Sequence, residues 1–237
     1  MKKVFPVQDI KREMCEDITV NYKKINMDTW ERKDKYDYFT TQENCEISLT
    51  CDVDVTELVS FCKEKGLKFY PVMICIASRV INGDEHFRMG FNEKNELVVF
   101  ESVDPCYTDF IPEHEDFNVM STPYSPKMKS FYQAIRDEME KNKGVPCPGP
   151  ENAGPNMFSI STLPWVNYSS VNLHYFNNWA GLAPMVFWGK YVKKEGRLML
   201  PVTLQVRHSV CDGYHAAKFF MDMEKTIPEV MGEFNTD

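Results

Sequence analysis

Between positions 197 and 208 the chain reads R-L-M-L-P-V-T-L-Q-V-R-H. Leu198, Leu200, Val202, Leu204 and Val206 share one face of an extended strand, and His208 follows on that face at its end. Alternation with period two marks a half-buried strand. The stretch C-E-I-S-L-T-C-D-V-D-V over 45–55 alternates in the same way. Apolar runs predict further strands over 96–102, 105–111, 157–163, 166–175 and 184–192. Helical patterns lie elsewhere. A short one with an aromatic side covers 30–39, and a second covers 55–66, with Asp54 as its N-cap and Gly66 at its end. P-V-M-I-C-I-A-S-R-V-I over 71–81 predicts a largely buried helix opened by Pro71. In 127–143, Met128, Phe131, Ile135 and Met139 recur at helical spacing, and a last helix covers 213–227.

Helices crowd the first half of the chain and strands the second, without regular βαβα alternation. That order predicts an α+β fold: a two-layer sandwich in which a large mixed β-sheet is packed by helices, rather than a doubly wound sheet. At 237 residues one unit with a sizeable core is expected over 1–237. The first 29 residues carry no pattern and read as an N-terminal arm, and the Pro/Gly-rich stretch 144–155 is the one weak candidate boundary.

The net charge of −8 argues against general affinity for nucleic acid or an anionic membrane, because phosphate-bearing partners need a positive face. An anionic small ligand would have to be gripped by a few local lysines or arginines. The eight cysteines form no C-x-x-C pair and have no histidine at zinc-finger spacing, so no metal site is expected. No secretory signal opens the chain, and no uncharged apolar run approaches the ~20 residues that span a bilayer. A reduced, cytoplasmic protein is expected.

The chemistry concentrates in Q-V-R-H-S-V-C-D-G over 205–213. His208 stands at a strand-to-loop junction, where the strand fixes a side chain that the loop leaves accessible. Asp212 suits the N-cap of the last helix. On spacing alone, a histidine packed at a strand end is the commoner situation, and H-x-x-x-D is not a triad geometry.

His208-Ser-Val-Cys-Asp212-Gly213-Tyr-His resembles the active-site motif of the chloramphenicol acetyltransferases, H-H-x-x-x-D-G-F-H. Its H-x-x-x-D core is shared by the wider acyl-CoA-dependent acyltransferase superfamily. Matches recur in order across about 200 residues: W-E-R-K-D-K-Y-D-Y-F from Trp30, K-F-Y-P from Lys68, S-T-L-P-W from Ser161, G-K-Y over 189–191 and L-P-V-T-L-Q-V from Leu200. The dihydrolipoyl acyltransferase cores share the fold, but the detailed matches lie with the chloramphenicol enzymes.

The resemblance implies an acetyl-CoA-dependent O-acetyltransferase that inactivates an antibiotic, working as a homotrimer with active sites at the subunit interfaces. It makes His208 the general base toward a small-molecule hydroxyl acceptor, its other ring nitrogen held by its own backbone carbonyl. Ser161, otherwise an ordinary strand serine, becomes the oxyanion donor, and Asp212 and Arg32 become a buried ion pair holding the His208 loop. It assigns CoA to Lys68, Tyr70, Trp165, Lys190 and Tyr191. The acceptor falls to Tyr38, Phe39, Cys45, Cys106, Phe117, Val171, Leu173, Tyr175 and Phe187. No metal enters this chemistry.

Three positions depart from the family pattern, the third being Tyr175 in place of a small aliphatic. Arg207 replaces the first histidine of H-H and would set a cation beside the base if the two side chains are close. Phe187 replaces a threonine that helps position a water near the oxyanion. Phe187 and Tyr175 add bulk to the acceptor pocket. Two alternatives therefore stand beside chloramphenicol acetylation: acetyl transfer to a different hydroxyl, and a member that binds its ligands without turnover.

Overall fold

The computed structural model describes residues 20–146, 149, 154–174 and 181–236. The elements run in the order β1 (Tyr22–Lys24), α1 (Lys33–Thr41), β2 (Glu46–Asp54), α2 (Thr56–Lys65) and α3 (Phe69–Asn82). A 3-10 turn (Glu85–Arg88) leads into β3 (Met89–Phe91), β4 (Leu97–Phe100), β5 (Asp104–Ile111), β6 (Asp116–Ser121) and α4 (Met128–Lys141). The chain closes with β7 (Met157–Thr162), β8 (Met185–Trp188), β9 (Val192–Lys194), β10 (Arg197–Arg207) and α5 (Gly213–Asn235).

The main sheet has the order β2-β10-β8-β7-β5-β6, with β9 paired to the start of β10. The β5–β7 and β7–β8 pairs are parallel and the others antiparallel, which makes the expected mixed sheet. A small antiparallel sheet, β1-β4-β3, stands beside it. The anchor is β10, whose register against β2 runs unbroken from Met199↔Asp54 to Arg207↔Glu46.

Alternation along β10 gives the main sheet two unlike faces. Leu200, Val202, Leu204 and Val206 are buried and join the core beneath α2, α3 and α5. Because α3 buries ten of its 14 residues, it is apolar nearly all round and forms the centre of the helical layer. On the other face Thr50, Thr203, Phe187 and Ser161 stand in one cross-strand row. That face is polar yet covered. The Thr50 and Thr203 hydroxyls meet at 2.7 Å, Ser48 Oγ donates to the Val171 carbonyl, and Gln205 holds Leu173 by both its N–H and its carbonyl.

These side-chain bonds correct the expected strand over 166–175. Residues 166–174 lie across the polar face without a ladder of their own, because side chains rather than a neighbouring strand satisfy the backbone; Tyr175 lies outside the described residues. Likewise the strand expected over 184–192 stops at Trp188, and Val192–Lys194 is a separate hairpin partner of β10. The final helix continues through Pro228 to Asn235, since Val230, Met231 and Phe234 keep its apolar face on the core. Pro71 sits inside the first turn of α3 rather than opening it. Asp54 stands one residue before the N-cap of α2, where it accepts from the Thr56 N–H and hydroxyl. Residues 22–24 of the expected arm form β1, whereas 1–19 lie outside the described residues. The short or two-faced strands β3 and β6 carried too little alternation to be read.

Gly189 is required by close packing. A Cβ there would meet the Val166 carbonyl at 2.7 Å and the Tyr168 ring at 2.9 Å. Lys190 N–H donates to that same carbonyl at 2.7 Å, so 166–168 cannot retreat without losing the bond. Gly189→Ala is therefore expected to destabilise the protein by about 1–3 kcal/mol, read as a lowered Tm by calorimetry; an unchanged Tm would show that the segment yields freely.

Candidate active site

The Arg32 guanidinium organises the loop after β10. It forms a two-pronged pair with the Asp212 carboxylate, both bonds 2.8 Å. Its Nε donates to the Ser209 carbonyl at 2.9 Å, and Nη2 also donates to the His208 carbonyl at 2.8 Å. Arg32 precedes α1 as its N-cap residue and is only 9% exposed. A planar fork with five donors meets all these acceptors at once, which a lysine ammonium cannot do. The guanidinium holds the Asp212 carboxyl down to about 2.

His208 receives its orientation from three contacts. Its backbone N–H donates to the Cys45 carbonyl at 3.1 Å, continuing the β10–β2 pairing by one residue. Its Nδ1 lies 3.0 Å from the Cys211 carbonyl, an acceptor only, so Nδ1 carries the proton and Nε2 the lone pair. The Phe39 ring stacks on the imidazole at 3.8 Å between centroids and 13° between planes. Among the described residues, nothing hydrogen-bonds Nε2. The expected tautomer lock through the histidine's own carbonyl is thus replaced: Arg32 occupies that carbonyl, and the Cys211 carbonyl serves instead. Asp212 approaches Nδ1 no closer than 3.6 Å, too far for a hydrogen bond.

Arg207 does not stand beside the imidazole. Successive residues of a strand face opposite sides, and Arg207 bonds to the Gly181 carbonyl and Asn44, with Glu46 at 3.4 Å. The cation is balanced on the polar face.

A cavity of about 700 Å³ opens among α3, β5, β7 and the turn after β8. Ser161, Tyr70, Trp165, Lys190, Tyr191 and Phe117 all line it, so the sequence-predicted CoA residues converge there apart from Lys68. Lys68 is exposed at the N-cap of α3, one residue before the lining. The Tyr70 hydroxyl donates to the Thr108 carbonyl at 2.6 Å, and Trp165 lies edge-on to Phe110. Sequence reasoning missed Asp109 and Phe110, which join the lining because β5 is flanked by β7 and β6 in the sheet.

The predicted acceptor residues divide. Tyr38, Phe39 and Cys45 gather near the His208 end of β2 and β10, whereas Cys106, Phe117 and Phe187 belong to the Ser161 side. Val171 and Leu173 cross the polar face above β2 and β10, and Tyr175 lies outside the described residues. Within one chain His208 and Ser161 do not meet. Ser161 is in register with Phe187 and, through it, Thr203. His208 lies five residues further along, hence on the opposite face and about 17 Å away along the strand.

The sequence profile for chloramphenicol acetyltransferase matches residues 20–224. A chloramphenicol acetyltransferase of Staphylococcus aureus is 36% identical over 211 residues, covering 87% of this chain and 95% of the relative. One from Clostridium butyricum is 33% identical over 207 residues, covering 87% and 94%. Among solved structures, a chloramphenicol acetyltransferase superposes with a TM-score of 0.76 at 22% identity over 87% of this chain and all of the other. A truncated catalytic core of a 2-oxoacid dehydrogenase complex from Thermoplasma acidophilum gives 0.62 at 16%, covering 88% and 99%, a likeness of fold.

Arg32→Ala is expected to cost about 1–3 kcal/mol, because it strips the His208 and Ser209 carbonyls and the part-buried Asp212 carboxylate of their main donor and leaves Lys35 as the nearby cation, and Arg32→Lys should recover little of it. The sign in acid follows from the lowered Asp212 pKa. Its stabilisation is full above the ordinary 3.8 and fades as pH falls toward about 2. Denaturant titration should thus show a shallower loss between those pH values in Arg32→Ala than in the parent; equal slopes would contradict the pairing.

Proposed function

The chain belongs to the chloramphenicol acetyltransferase family, and from that premise we propose that it transfers the acetyl group of acetyl-CoA to a hydroxyl of chloramphenicol. The observation that carries this reading is the Nε2 of His208, which has no hydrogen-bond partner among the described residues. Its partner nitrogen is tied to the Cys211 carbonyl, so the ring offers a lone pair in a fixed direction.

In the proposed reaction, the acceptor hydroxyl gives its proton to His208 Nε2 as its oxygen bonds to the thioester carbonyl carbon. The Ser161 hydroxyl donates to the developing oxyanion. The carbon–sulfur bond then breaks, and the imidazolium returns the proton to the departing thiolate. Arg32 and Asp212 do not touch the reacting atoms; they hold the loop. The cavity fits the long CoA arm: Tyr70, Trp165 and Tyr191 supply apolar walls, and Lys190 meets phosphate, with Lys68 just outside.

A homotrimer with interface active sites completes the arrangement. His208 and Ser161 lie on opposite faces of one chain's sheet, so each needs the other from a neighbouring copy. The segment over the polar face bears the exposed Val166 and Leu173, groups that an interface would cover. A cytoplasmic setting follows from the donor, and none of the six described cysteines is in a disulfide. No described helix is long and apolar enough to cross a membrane. We propose that Phe187, beside Ser161 in register and 5% exposed, fills the space of the family's threonine and leaves the oxyanion to Ser161 without a threonine-held water.

Thiol release from acetyl-CoA in the presence of chloramphenicol tests the reading. His208→Ala should lower kcat by about 10⁴-fold and Ser161→Ala by about 10²-fold. Wild-type turnover no greater than that of His208→Ala would overturn the assignment.

A further inference from the structure

A second histidine cluster surrounds the first turn of α5 and takes no part in the proton transfers above. His215 turns its Nδ1 back to accept the Asp212 backbone N–H at 2.9 Å, closing a capping box. Its ring lies 3.9 Å from that of His86, tilted by 40°. His86 is fixed in turn: its Nδ1 and its backbone N–H both reach Asp84 Oδ1, at 2.9 and 3.0 Å. Lys218 lies 3.4 Å from the other Asp84 oxygen, and the Cys211 thiol points at the His86 carbonyl. The cluster therefore grips residues 211 and 212, which supply the carbonyl on His208 Nδ1 and the carboxylate on Arg32.

We propose that His215, backed by His86 and Asp84, is a positioning residue for the base: as a neutral imidazole with an accepting Nδ1 it holds the Asp212 backbone and, through it, the Cys211 carbonyl that sets the His208 tautomer. This inference rests on the acetyl-transfer reading of His208. The physical requirement is simple, because a protonated ring would set an N–H against the Asp212 N–H. Asp84 and Asp212 favour a charged ring, while His86 and Arg32 oppose it. Lys218 divides its charge between Asp84 and Asp222, and Tyr214 contributes a ring edge. Burial, then His86, keep the His215 pKa below its ordinary value, so the acceptor is present at neutral pH and is lost only in acid. Loss of the cap in acid then lowers acetyl transfer.

Glutamine at this third helical position also makes a capping box and does not titrate. Acetyl-transfer kinetics from pH 5 to 9 should show His215→Ala lowering kcat by about tenfold or more, with both KM values within about twofold. His215→Gln should restore most of kcat and give a less steep acid limb. Nitrogen NMR of histidine-labelled wild-type protein without substrates should show an unprotonated Nδ1 on His215 and a protonated Nδ1 on His208. Wild-type kcat in His215→Ala, an unchanged acid limb in His215→Gln, or a protonated His215 Nδ1 would each overturn the proposal. The NMR arm needs neither turnover nor the alanine variant, so it decides the inference even where the acetyl-transfer reading fails.

Discussion

The functional end of the molecule depends on one guanidinium. Arg32 binds the carbonyls of His208 and Ser209 and both oxygens of Asp212, three anchor points within five residues of chain. Without such a partner, the His208 and Ser209 carbonyls would lose their donor and the Asp212 carboxylate its strongest one. The pair is 180 positions apart in sequence, so forming the turn and docking the start of α1 are one event. A buried ion pair is poor evidence of net stability. Here its consequence is geometric: it frees the Cys211 carbonyl to orient the imidazole, because the histidine's own carbonyl is already taken.

The second constraint is the register of the main sheet. β10 is long enough to carry a polar row at its middle and His208 past its end, on the other face. One strand thus links the two halves of the proposed site, with Thr203 in the row of Ser161 and His208 about 17 Å further along it. The Ser161 half belongs to an aromatic cavity with Lys190 at its edge, and the His208 half to a loop locked by Arg32. Family membership, and with it the acyl-transfer chemistry, gives these halves a common purpose.

Much of this was legible in the sequence. The alternation in 197–208 is strong because Leu200, Val202, Leu204 and Val206 are buried on one face, and β2 alternates likewise because Ile47, Leu49, Cys51 and Val53 pack against the same core. The segment 166–174 misled because side chains such as Ser48 and Gln205, not a strand, satisfy its backbone, and no periodicity encodes that. The expected end of the last helix at 227 is overridden by the packing of Val230 and Phe234, which carries the helix through Pro228 to Asn235. At the site, the resemblance placed Arg32 against Asp212 correctly. It could not tell which carbonyl meets Nδ1, since that turns on the path of three residues. The course of Arg207 toward the polar face, away from the imidazole, follows from strand alternation and was available from the pattern alone. His215 closes the motif that starts at His208, but its pairing with His86 is not legible, because stacking between residues so distant in sequence leaves no local signal.

The claim on which this account turns is that His208 of one chain works with Ser161 of another. Hybrid oligomers test it most directly: His208→Ala and Ser161→Ala chains are mixed in equal amounts under unfolding conditions, refolded together and assayed for chloramphenicol acetylation. In a closed ring of three, every mixed trimer holds one interface intact at both positions, so the mixture should recover roughly a quarter of wild-type specific activity. Activity no higher than that of the two parents would contradict a shared site and return both residues to a single chain.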